Sequence, residues 1–513
     1  MSPIVEFLSP IGVAPRYIVA IIVLAIGVGG AIAADTGLSE HEMDGHPGAS
    51  MTDHDMSHEM DGHTGASMTD GDMTKAGPRA KHAANDPIGV ARGIHPGRVT
   101  WVRDPSALDW DGVSSGTTEG YWNGHTDQLA IDEMVSLSLQ ELTGEADDPA
   151  AWDALFRHFN RSHGNGDVSY KAGEKINIKI NLTTTSSDLG NRIDANGKQL
   201  TDKEFVAPSL ELSHALLEQL VNVVGVAQGD ISMGDTTGTM PNYYYHYLTD
   251  AAADGGGGGE FTDVTYIGRN AVPDRVTDTG STVELHWGTA DAEGTTQDVI
   301  PRSYADAQYF INLAILKTHA RAGVTLCAKN FYGSLIRRPT TEGYYNLHAN
   351  LLNETPGEGR YRPLVDLMGH EHLGGKTLVA IIDALWTGYD WSRFSVPLKW
   401  QSEPFNDTYA ASILMSQDIV AIDSVGYDLW YAEADVTTLP GPDPRVVGAD
   451  DYLTEAALAD APPSGSSYDP EGDGSVLSSL GVHEHWNNVL DREYTRNLKT
   501  GDGIELIEVT VSE

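Results

Sequence analysis

Residues 176–182 read Ile-Asn-Ile-Lys-Ile-Asn-Leu, an unbroken alternation of apolar and polar side chains. Ile176, Ile178, Ile180 and Leu182 fall on one side, and a period of two is that of a β-strand. Pro208-Ser209 then opens a helix, with Ser209 suited to cap it and Leu210, Leu216, Leu217, Leu220 and Val224 at helical spacing. A short strand, Ile231 to Gly234, follows. Strand, helix and strand over this length predict a Rossmann-like βαβ unit, so the fold class is α/β with a mainly parallel sheet.

Downstream the same grammar returns. Phe310 to Leu316 predicts a buried strand, Val324 to Leu335 a helix, and Leu378 to Ala384 and Ser412 to Met415 two more strands. Asp418 caps a helix whose face carries Ile419, Ile422, Val425 and Leu429. Upstream, Ile131, Met134, Val135, Ser138 and Leu142 share a helical face, and Ala150 to Asn160 predicts a second helix. Gly255 to Gly259 marks an inserted loop, and the acidic stretch from Asp435 to Gly474 a long excursion. Residues 95–513 therefore form the α/β domain.

The N-terminus differs in kind. Tyr17 to Ala34 is an uncharged apolar run preceded by Arg16, and Ala31-Ile32-Ala33 suits a signal peptidase. Residues 1–34 are thus expected to be a transmembrane signal anchor or a cleaved signal peptide. Either way the positive-inside rule puts the rest outside the cytoplasm, membrane-anchored through residues 17–34 or secreted.

Residues 35–94 read as a disordered tether. HEMDGHPGASMTDHDMS at 41–57 is repeated as HEMDGHTGASMTDGDMT at 58–74, a 17-residue duplication with no apolar periodicity. His41, His46, His54, His58 and His63 alternate with Met43, Met51, Met56, Met60, Met68 and Met73. Thioether selects Cu(I) and imidazole accepts Cu(II), so this low-complexity tether is either a copper collector or a plain spacer.

Charge and cysteine content exclude several classes. Lys+Arg 32 against Asp+Glu 74 leaves a formal net charge of -42, which argues against nucleic acid as a partner. The acidic balance runs through segments with apolar periodicity, so it points to the solvated surface of a halophilic protein, its self-repulsion screened by concentrated salt, with a merely acidic secreted protein as the alternative. Cys327 stands alone, which excludes internal disulfides and an iron–sulfur cluster held by this chain.

Ligands of parallel α/β sheets bind at the carboxyl ends of the strands. Those ends carry Lys179 and Asn181, Asp235, Lys317 and His319, Asp383, and Asp418. Lysines and carboxylates converging on one edge point to a small anionic ligand or a metal.

Leu316-Lys317-Thr318-His319, then Gly323-Val324-Thr325-Leu326 and Lys329-Asn330-Phe331-Tyr332-Gly333, resemble the signature of the DUF362 family. Lys179-x-Asn181, Gly234-Asp235, Ile382-Asp383-Ala384 and Asp418-x-Val420-Ala421-x-Asp423 extend the resemblance. It implies an α/β domain without a settled activity; many relatives add ferredoxin-like cysteine motifs, which this sequence does not have. On these positions Lys317, His319, Asp383 and Asp423 are the expected catalytic or divalent-metal residues. Lys179, Asn181, Asp235, Lys329 and Asn330 are the expected substrate contacts. Two functions remain open: an enzyme acting on a small anion, or a non-catalytic ligand- or metal-binding protein with a copper-collecting tether.

Two His-x-His pairs, His370/His372 and His483/His485, could chelate if extended. The first precedes its strand and so lies at the far edge; in the second, a helical backbone would point the rings apart. Asn160, Asn181, Asn353 and Asn406 begin glycosylation sequons.

Overall fold

The computed structural model describes residues 83–112, 124–182, 207–250, 260–269, 274–288, 297–319, 321–336, 349–352, 355–388, 397–438 and 449–511. The apolar run at 17–34, the His/Met tether with its duplication, the pentaglycine and Asn353 lie outside the described residues. Among the described residues no helix is long and apolar enough to cross a membrane.

A nine-stranded sheet organises these residues. Its strands are β1 (Arg98–Arg103), β2 (Ile176–Ile180), β3 (Ile231–Gly234), β4 (Thr265–Ile267), β5 (Tyr309–His319), β6 (Gly323–Thr325), β7 (Thr377–Gly388), β8 (Ser412–Ser416) and β9 (Glu505–Thr510). Across the sheet the order is β9-β1-β8-β7-β5-β2-β3-β4, with β6 paired to β5. From β4 to β7 all five neighbouring strands run parallel. Continuous apolar runs suit β5 and β7 because parallel strands are covered on both faces.

Helices α1 (Gln128–Thr143), α2 (Asp148–Ser162), α3 (Leu210–Glu218) and α4 (Asn242–Thr249) pack on one face. There they meet Ile178, Ile180, Ile311, Leu313, Ile315 and Ile381. On the other face, α5 (Cys327–Asn330), α6 (Pro363–Gly369), α7 (Ile419–Val436) and α8 (Asp451–Ala457) cover Phe310, Ala314, Leu316, Ala380, Ile382 and Leu414. Side chains of consecutive strand residues thus enter two separate cores. Capping starts the helices where the sequence predicts: Ser209 accepts from the Leu212 N–H, and Asp418 from that of Ala421. Each such cap contributes about 1 kcal/mol.

Three expectations change. Val324 to Leu335 is not one helix: Gly323, at φ +82°, turns the chain, and β-branched Val324 and Thr325 pair antiparallel with Lys317 and Thr318 before α5 begins. β8 runs antiparallel to both β7 and β1, so its carboxyl end faces the opposite edge from theirs. Residues 83–94, assigned to the tether by composition, join the fold: Ile88–Gly89 pairs with Val482–His483, and the Arg92 N–H donates to Asp418.

Candidate functional site at the carboxyl edge

β2 turns Lys179 away from its isoleucine face, toward α5. There its ammonium donates to Ile180 O at 2.6 Å, Asp235 Oδ2 at 2.9 Å and Asn330 Oδ1 at 3.0 Å, which uses all three protons. Asp235 follows β3 at Gly234, where φ is +154° and a Cβ would lie 2.1 Å from Ile267 O, so only glycine fits. Its carboxylate also accepts from the N–H groups of Leu182, Thr237 and Gly238. Burial alone would raise Asp235, but the Lys179 ammonium and these donors hold it below the usual carboxylate range. Asn330 closes the knot by donating to Lys179 O and Asn312 Oδ1.

Beside this knot stand two more lysines. Lys329 on α5 is half-buried, its Nζ 3.9 Å from the centre of the Tyr332 ring. Burial, then the ammoniums of Lys317 and Lys179, pull Lys329 down to about 7 against the opposing pull of Asp235. Lys317 is buried opposite Thr325 of β6. His319 ends β5, and its Nδ1 accepts from the Arg321 and Ala322 N–H groups. A neutral His319 therefore carries its proton on Nε2.

The remaining expected site residues are drawn elsewhere. Asp383 shares the carboxyl edge but opens onto the opposite face of the sheet, accepting from the N–H of Ser209 at 2.5 Å and of Leu385 at 2.9 Å. Burial pushes it up to about 6, and neighbouring Glu211 up to about 8. Asp423 caps α5 through the Cys327 and Ala328 N–H groups and accepts from the Tyr452 hydroxyl; burial raises it to about 7. Asp418 lies at the far edge because β8 is reversed. Asn181 is buried just beyond β2, and Asn160 is buried against Val168 O and the Tyr309 hydroxyl, so neither presents a sequon amide at the surface; Asn406 is exposed.

Of the histidine pairs, His370 bonds Glu284 O through Nε2, and burial lowers it to about 4. His483 and His485 instead leave an extended segment with ring centroids 4.8 Å apart, and Asp450 from the acidic excursion joins them. All three are buried and form a group that could hold a metal ion. The His-x-His spacing signals the pair if the backbone is a strand, whereas Asp450 lies in a stretch without periodicity.

No curated protein matches the chain closely enough to be counted a relative. Residues 206–428 match the family model described as a domain of unknown function, so from α3 through β8 and into α7 the chain carries a DUF362 domain.

Proposed function

We propose that the chain is an enzyme acting on a small anionic molecule at the carboxyl edge of the parallel strands. What supports this is Lys329 standing near two further lysines, Lys317 and Lys179, with Lys179 paired to Asp235, in a chain of net charge -42. On so acidic a protein, clustered lysines draw anions that an acidic surface repels. Lys179 is fully engaged and sets the geometry; Lys317 and Lys329 hold a carboxylate or phosphate. Lys329, poised near neutrality, exchanges a proton with the bound molecule, and His319 is the second candidate for proton transfer. Asp383 and Asp423, occupied by backbone N–H groups, take no part in this reading.

Further parts of the reading rest on sequence patterns: residues 17–34 place the domain at a membrane facing outward or direct its secretion, the tether collects copper, and the acidic surface suits high salt. Calorimetric titration of sulfate and of small mono- and dicarboxylates into the full chain tests the site. Binding that falls at least about tenfold in Lys317→Met and Lys329→Met, a loss of about 1.4 kcal/mol, supports it. Equal binding by all three proteins sinks it, and binding without turnover of any compound favours the non-catalytic alternative.

A further inference from the structure

We propose that Asp450, His483 and His485 bind one divalent ion of the zinc type, through a carboxylate oxygen and the two imidazole Nε2 atoms, and that the ion clamps the C-terminal segment onto α7 and α8. This goes beyond the anion site and does not depend on it.

Geometry carries the inference. His483 and His485 are fully buried and Asp450 is 4% exposed. Their ligand atoms lie within 4.8 Å of one another, and His485 Nε2 is 3.4 Å from Asp450 Oδ2. Metal–ligand bonds of about 2.0–2.1 Å set the edge of a tetrahedron at about 3.3–3.4 Å, so this separation fits two ligands of one ion. A proton fits the gap less well: a charge-assisted hydrogen bond closes to about 2.7–2.9 Å.

The outer contacts orient both rings. His485 Nδ1 is 2.6 Å from Asp428 Oδ1, so in the neutral ring it donates there and leaves the Nε2 lone pair facing Asp450. Ser424 Oγ donates to Val420 O at 2.7 Å, so it must accept from His483 Nδ1 at 2.8 Å, which again turns a lone pair outward on Nε2. Ser424 and Asp428 lie one turn apart on α7 and hold the two rings from behind. Asp428 is itself fixed by the Trp486 N–H and the Tyr494 hydroxyl. A carboxylate behind a ligating imidazole is the usual support of a bound metal. Two imidazoles and one carboxylate, with no thiolate, suit zinc or a neighbouring first-row ion, with water in the fourth position.

Cobalt(II) is the probe, because a four-coordinate ion shows strong visible absorption. Imidazoles of the tether would compete for the probe, so the full chain is compared with a full chain in which His41, His46, His54, His58 and His63 are replaced by Ala. The expected result is about one equivalent of tetrahedral cobalt that survives the tether replacement. It should be lost in Asp450→Asn and in His483→Gln on that background. Asp450→Asn keeps the shape of the side chain, and an unchanged far-ultraviolet circular dichroism spectrum separates ion loss from unfolding. Should both variants unfold, Asp428→Asn, which removes only an outer contact, must still weaken binding about 10–100-fold. Absorption that is equal in all folded variants, or no uptake once the tether histidines are gone, overturns the proposal and leaves an imidazolium–carboxylate pair.

Discussion

The ammonium of Lys179 sits 2.9 Å from Oδ2 of Asp235, and neither side chain is more than 1% exposed. At this depth the two charges survive only as a pair. Lys179→Met or Asp235→Asn alone leaves the partner charge buried, and each is expected to cost roughly 3–5 kcal/mol. The double variant should recover much of that loss. Urea unfolding at constant high salt measures all four corners of the cycle, and additive losses would show that the pair is not coupled.

Lys329 gives a pH signature. Its folded value, about 7, lies below that of a free lysine, so between about 7 and 10 the unfolded chain binds the extra proton. Stability should rise with pH across this window, and Lys329→Met should lack that part of the rise. Sulfate affinity should run the other way, weakening as pH climbs from 6 to 9 while Lys329 loses its charge. Sulfate does not itself titrate there, so a flat profile would remove Lys329 from the anion site.

Glu211 predicts the opposite slope. Burial, with Asp383 nearby, lifts it to about 8 from an ordinary 4.5, so between those values the folded chain holds a proton that the unfolded chain has released. Its contribution is complete below about 4.5 and is lost as pH rises toward 8. Glu211→Gln should flatten this fall and stabilise the protein at pH 8 by at least about 1 kcal/mol. Thermal midpoints of the two proteins at pH 5 and pH 8 provide the comparison.

The parallel strands were legible because Ile176 to Leu182 and Phe310 to Leu316 carry their period and burial in the residues themselves. Ser209 and Asp418 announced their helices through short acceptor side chains. The direction of β8 was not legible, since Ser412 to Met415 is apolar in either orientation and only pairing with Ile381 to Ala384 decides it. The same gap split the expected site. Lys179 pairs in register with Asn312, and Ile381 with Leu313, so Lys179 and Asp383 leave opposite faces although each lies in a parallel strand toward the same edge. Register between strands is a tertiary property, and sequence alternation within each strand does not contain it. Lys329 and Asn330 were marked by family resemblance alone, and Asp450 by nothing local.

β1 has a consequence for how the molecule is made. Its Arg98 is bonded to Glu505, 407 positions later, and its Trp101 to Ser412, 311 positions later. Both neighbours of this strand therefore emerge from the ribosome long after it does. Loops of that size close late, so this side of the sheet is completed only after Glu505 to Thr510 have been made. A chain stopped short of Glu505 would keep β1 as an open edge, able to pair with another copy. Synthesis of β9 is thereby the step that seals β1 against a neighbouring copy.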